Sequence, residues 1–155
     1  MSSLTVQDQT PEIEVIDRKP TVTLASSGPA GPPGAAGDIQ NQTRTYVAAS
    51  AVGGGRIVRS STVTDVEHAD SSDAGNMHNT IGLTLAAASG GGNVQVLIEG
   101  QSVDVSWAWT VGDPIFFNTS GVLTQTAPAT GFYQAVGHAL TATSVLIRIH
   151  APIRR

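Results

Sequence analysis

Between residues 28 and 37 glycine falls at every third position, at Gly28, Gly31, Gly34 and Gly37, and Pro29, Pro32 and Pro33 fill three of the six places between them. No other stretch restricts the chain so strongly. A three-residue glycine period with imino acids between is the pattern of the collagen triple helix. There, only a hydrogen atom fits where three polyproline-II strands crowd around one axis. Three triplets rise roughly 30 Å at about 3.1 Å per residue, too short to hold three chains together unaided. Neighbouring segments are therefore expected to make the trimer. The same composition also suits a Gly/Pro-rich flexible linker; the unbroken register and the lack of large residues favour the triple helix.

Composition points the same way. Charged residues are 13% of the 155-residue chain, Lys19 is the single lysine, and 40% of the residues are hydrophobic. That charge content is about half the usual share, and a monomer so composed has difficulty covering its apolar surface. Burial between copies is expected, in a homotrimer. A net charge of −4 gives no electrostatic footprint for nucleic acid or an anionic membrane, and neither is expected as a partner. The absence of cysteine excludes disulfides and thiolate metal sites. The first residues lack the basic patch and apolar run of a signal peptide, and no stretch reaches the roughly 18 apolar residues of a membrane span. The chain reads as one made in the cytosol.

Three segments follow from the change in texture. Residues 1–27 read as an extended arm with two short β-prone pieces, 12–17 and 20–24, fenced by Pro11 and Pro20. Isolated strands cannot bury a face alone. The arm is therefore expected to complete its pairing on a partner by strand addition, a loose terminus being the other reading. Residues 28–42 form the collagen-like rod and linker, and 43–155 a trimerising β domain. In the domain, runs of Val, Ile and Thr are broken by Gly53-Gly54-Gly55, Gly90-Gly91-Gly92, Gly112-Asp113-Pro114 and Ser120-Gly121. This pattern predicts strands over 46–50, 56–62, 80–85, 93–98, 103–109, 114–118, 132–138 and 144–149. The run Ala86-Ala87-Ala88 could close at most one helical turn.

An internal echo narrows the fold class. Ile81-Gly82-Leu83-Thr84-Leu85-Ala86, then Asn93-Val94-Gln95-Val96-Leu97-Ile98, is matched by Val136-Gly137-His138-Ala139-Leu140-Thr141, then Ser144-Val145-Leu146-Ile147-Arg148-Ile149. Each is a glycine-bearing strand, a break and an alternating strand, preceded by a further strand and a polar loop. Two strand–loop–hairpin units packed face to face would bury each other's apolar side. The expected fold is all-β, a small sandwich or barrel of about eight strands.

Signals of chemistry are sparse. The G-x-S-x-G, P-loop, H-E-x-x-H and G-x-G-x-x-G patterns are missing, so no enzymatic activity, catalytic residue or cofactor is expected. His68, His78, His138 and His150 are scattered singly and read as structural or surface residues. The acidic run Asp65-Val66-Glu67-His68-Ala69-Asp70-Ser71-Ser72-Asp73 misses the EF-hand spacing and reads as a solvated loop rather than a metal site. The asparagines of Asn41-Gln42-Thr43 and Asn118-Thr119-Ser120 match the glycosylation sequon by chance, given no secretory route. Val103, Val105, Trp107 and Trp109 alternate with Asp104, Ser106, Ala108 and Thr110, which predicts one strand with both indoles on its apolar face. Core or subunit-interface packing is the expectation for these four residues. A sugar-stacking platform is the alternative.

An arm ending in Thr21-Val22-Thr23-Leu24, a short Gly-Pro-Pro rod and a Thr/Val/Gly-rich β domain together resemble bacteriophage virion fibres and capsid decoration proteins. The run Val111-Gly112-Asp113-Pro114-Ile115-Phe116, followed by Val136-Gly137-His138-Ala139-Leu140, is similar to the β domains of phage head-decoration (cement) proteins. The resemblance covers the whole layout, but its motifs are short and no binding residues carry over. It implies a non-enzymatic trimer on the outer surface of a phage capsid. Its arm would grip the major capsid protein through Ile13, Val15, Ile16, Val22 and Leu24, and its rod would space the β domain outward. Tail-fibre or adhesin tips share the layout with the roles of the ends reversed, the β domain then binding a host surface glycan.

Overall fold

The computed structural model describes residues 40–155. The arm residues Ile13, Val15, Ile16, Val22 and Leu24 and the axial glycines Gly28, Gly31, Gly34 and Gly37 lie outside the described residues. The described chain is all-β, without an α-helix: β1 (Gln42–Ala48), β2 (Ile57–Ser60), β3 (Asp65–His68), β4 (Thr80–Thr84), β5 (Asn93–Val103), β6 (Pro114–Phe117), β7 (Leu123–Thr124), β8 (Phe132–Tyr133), β9 (Gly137–Thr141), β10 (Ser144–Arg148) and β11 (Ile153–Arg154).

The order β1-β3-β2-β4-β5, together with a β1–β5 pairing, closes five strands into a barrel. All neighbours are antiparallel except β1 and β3. Closure leaves few sheet edges to protect. The lumen is filled by Ala48, Val52, Val58, Val66, Val94 and Val96, with Tyr46, Ile81, Ala88 and Ile98 against them. These residues are mostly β-branched and small, as suits a narrow barrel.

The second half of the chain builds a sheet in the order β10-β9-β6-β7, which joins the barrel through β5. Leu97 and Glu99 mark the join. Leu97 pairs with Thr43 of β1 and Leu83 of β4, whereas Glu99 pairs with Gln42 of β1 and Arg148 of β10. One edge of β5 therefore passes from β4 to β10, and the sheet forks. Gly100 sits at the fork with φ +133, where a Cβ would stand 2.2 Å from Asn41 Oδ1, so the bend requires glycine. Asn41 clamps the next residue from both sides: its Oδ1 accepts from Gln101 N at 2.7 Å and its Nδ2 donates to Gln101 O at 3.0 Å.

The two halves meet across the larger core. Ile57, Leu83 and Leu97 of the barrel wall pack with Ile115, Phe117, Phe132, Val136, Ala139, Val145 and Ile147. Neighbouring residues diverge: Ile57 joins this core and Val58 the lumen, and Leu97 joins it while Val96 enters the lumen. Strands β2 and β5 are thus buried on both faces at Ile57-Val58 and Val96-Leu97, where two apolar residues stand side by side. Both echoing hairpins form, β4–β5 and β9–β10. Their residues share this core, but β5 hydrogen-bonds directly to β10, so the two hairpins are continuous strands of one sheet rather than only packed face to face.

Several expectations are corrected. The predicted strand 103–109 does not form, for β5 ends at Val103. The segment 132–138 is split into β8 and the start of β9. Between them Gln134 is buried, donating to His150 O at 2.7 Å and accepting from Thr80 Oγ1 at 2.7 Å. The acidic run is no simple solvated loop, because its first part is β3, with Val66 fully buried in the lumen. Ala86-Ala87-Ala88 makes no helical turn; Ala88 instead bridges to Val52.

Candidate functional site

The tryptophan segment is built by a turn that ends a strand. Asp104 Oδ1 accepts from both the backbone N–H of Ser106 at 2.9 Å and its hydroxyl at 2.7 Å. An aspartate that bonds two residues ahead offers the backbone an alternative to the ladder. The chain then runs along the β9–β10 turn, with Asp104 N donating to Thr143 O at 2.9 Å, Trp109 N to Ala142 O at 2.8 Å and Gly112 N to Ala139 O at 2.9 Å. The side-chain amide of Gln125 pins Thr110 through both its backbone groups, at 2.9 and 2.8 Å. The segment is an irregular loop held by its neighbours.

Trp107 and Trp109 are half-buried against the larger core, with ring centroids 5.7 Å apart and planes tilted by 52°. Val103 and Val105, expected beside them, are instead 63% and 90% exposed, and Val111 is 62% exposed. Core packing is therefore the role of the two indoles alone. Val103 closes β5 exposed, and past it, where the ladder ends, the alternation of faces no longer holds for Val105.

The indoles line a groove of about 290 Å³ with Asp104, Arg56, the Gly54-Gly55 turn, Val122 and Leu123. Arg56 is positioned by its own backbone: its N–H donates to Thr84 Oγ1 at 3.0 Å and it bridges to Val122. Thr84, itself buried, donates in turn to Gly53 O at 2.6 Å. The ion pairs among the described residues are Arg59–Glu67 and Arg148–Glu99, so the Arg56 guanidinium has no carboxylate partner there. The hydrogen bonds from the Ser106 hydroxyl and backbone hold the Asp104 carboxyl below its ordinary range, because they stabilise the charged form. Asp104 is anionic at neutral pH, with Oδ2 outside those bonds. The Trp109 indole N–H is buried without an acceptor among the described residues, which costs about 1–3 kcal/mol.

Next to the Gly54-Gly55 turn, His68 Nε2 accepts from Gly53 N at 3.0 Å. Burial, and next the charge of Arg56, lower its pKa below the ordinary 6.5, so the imidazole is neutral. The sequence signalled the two tryptophans through their alternation, which put Asp104 on the opposite face; the turn at Asp104 brings it to the same groove. Arg56, Gly54 and Gly55 carried no signal beyond a glycine run, since only the fold brings β2 beside residues 104–109.

A second concavity, about 630 Å³, opens at one end of the barrel and is lined by Asn41, Gln42, Thr43, Arg44, Tyr46, Ile81 and Ile98. Here β1 pairs with β3 only at Val47 and Ala48, so residues 42–46 leave one strand edge unpaired among the described residues.

No family model and no curated protein matches the chain. Among solved structures it is similar to the N base of the head fibre gp8.5 of bacteriophage phi29. Identity is 16%, the match covers 70% of this chain and 95% of that chain, and the TM-score is 0.46. A likeness of that degree assigns no role to this chain.

Proposed function

We propose that the protein is a non-enzymatic structural component of a phage virion. In this reading it is a homotrimer on the outer capsid surface, bound to the major capsid protein by its N-terminal arm, with the β domain held outward. The observation that carries the reading is the unbroken glycine register at Gly28, Gly31, Gly34 and Gly37, the period that three chains sharing one axis require. The domain surface supports it: exposed Val103, Val105 and Val111 on a charge-poor chain suit contacts with other copies or with a particle. The open edge of β1 and the barrel mouth supply a further such surface, starting at Gln42, five positions after Gly37.

Avidity gives the arrangement its strength. Three weak arms on one trimer bind far more tightly than one, because attaching the first raises the local concentration of the others. Bridging neighbouring subunits then stabilises the assembled shell by linkage. The test is native mass spectrometry followed by co-sedimentation with cognate virions. The expected result is a trimer with polyproline-like circular dichroism that pellets with particles and, after deletion of 1–27, stays trimeric but remains in the supernatant. A monomer at working concentration removes the proposal.

A further inference from the structure

From the groove between the β2 turn and the tryptophan loop, we infer that the β domain carries a binding site for an uncharged saccharide, stacked on Trp107 and Trp109 and hydrogen-bonded by Asp104 and Arg56. The inference goes beyond particle attachment and does not depend on it, since the groove lies within one copy.

A pyranose has an apolar face of C–H bonds and a rim of hydroxyl groups. Its receptor needs an aromatic surface beside a few placed polar groups that both donate and accept. The groove has these parts. Two indoles 5.7 Å apart, tilted by 52°, present neighbouring surfaces rather than a closed stack. Asp104 is an acceptor whose Oδ1 is occupied by Ser106 and whose Oδ2 is outside those bonds. Arg56 brings guanidinium donors with no ion pair among the described residues. One negative and one positive group in the same groove favour a ligand without net charge.

The loop is also preorganised, so little ordering is left for binding to oppose. Backbone bonds to Ala142 and Thr143 and the Gln125 clamp fix it before any ligand arrives. The net charge of −4 argues against a nucleic-acid base as the stacking partner.

The protein offers its own probe, because its two tryptophans both lie in the groove. The experiment titrates the full-length chain with maltotriose, cellotriose, N-acetylchitotriose and galactobiose up to ~10 mM, about ten times a millimolar Kd. The readouts are intrinsic fluorescence and saturation-transfer NMR. At least one sugar is expected to shift the emission saturably, with Trp107→Ala, Arg56→Gln and Asp104→Asn each weakening binding about tenfold or more, equivalent to about 1.4 kcal/mol. Asp104→Asn keeps an acceptor for Ser106 while removing the charge. It and Arg56→Gln therefore decide the matter should Trp107→Ala fail to fold. No response to any of the four sugars overturns the inference, as does binding that all folded variants retain unchanged. Neither outcome bears on trimerisation or co-sedimentation, so the two proposals fail separately.

Discussion

The unit β2–β4–β5 and the unit β6–β9–β10 repeat one chain order, and the sheet order β2-β4-β5-β10-β9-β6 places them as reflections across the β5–β10 seam. Their surroundings differ. The first is enclosed by β1 and β3, which close it into a barrel, while its outer face is covered by the second unit. The second is less enclosed: His138 is exposed between the buried Gly137 and Ala139, and Arg148 is exposed at the end of β10. Local pattern thus sets the hairpin, and additional strands decide how far it is enclosed.

The sharpest test of the equivalence is a pair of glycines. Gly82 and Gly137 hold the same place in their hairpins, and a Cβ would stand 2.2 Å from Leu97 O in one and 1.9 Å from Leu146 O in the other. Replacing either by alanine is expected to cost about 3 kcal/mol or more, because backbone must shift to make room. Urea unfolding of each variant checks it, and one tolerated substitution would break the equivalence. Next, Leu97→Ala, in the core shared by both halves, is expected to cost about 3 kcal/mol. Val96→Ala, in the lumen of the barrel, should cost less, since one carbon fewer is removed. Equal losses would mean that the lumen collapses less readily around the lost carbons than the larger core does.

His68 probes the barrel alone. Its folded pKa lies below the unfolded 6.5, so at acid pH the unfolded chain binds more protons than the folded one. Stability is therefore full above about pH 6.5 and falls as the pH drops through 6.5 toward the folded pKa. His68→Gln should flatten that slope in urea midpoints measured between about pH 8 and pH 5. The smallest effect is expected at Arg59–Glu67, the cross-strand pair of β2 and β3. Arg59→Ala should cost about 0.5 kcal/mol and lose its effect in high salt.

Much of the hairpin layout was legible in the residues. Runs of apolar residues bounded by glycine and polar breaks placed β4, β6, β10 and the first half of β5, because each has apolar side chains to bury against neighbours. β3 was not legible: a single apolar residue, Val66, between Asp65 and Glu67 gives no period, and the strand exists because the lumen accepts that one side chain. The predicted strand 103–109 failed for the opposite reason. Its alternation was real, but Asp104 turned the chain with two local bonds and the carbonyls of Ala142 and Thr143 captured it. Of the groove, sequence supplied the two indoles; it put Asp104 on the opposite face of a strand and gave no indication of Arg56.

The residues alone determined an all-β chain with two hairpins, no thiol chemistry, little charge and a glycine period suited to three shared strands. These depend on neighbours in sequence, through backbone sterics, side-chain period and composition. Tertiary structure decided the closure of the barrel, the fork at Gly100 and the meeting of Arg56 with the tryptophan loop. Those depend on groups far apart in the chain, whose approach is set by which apolar faces remain to be covered once the local strands have formed.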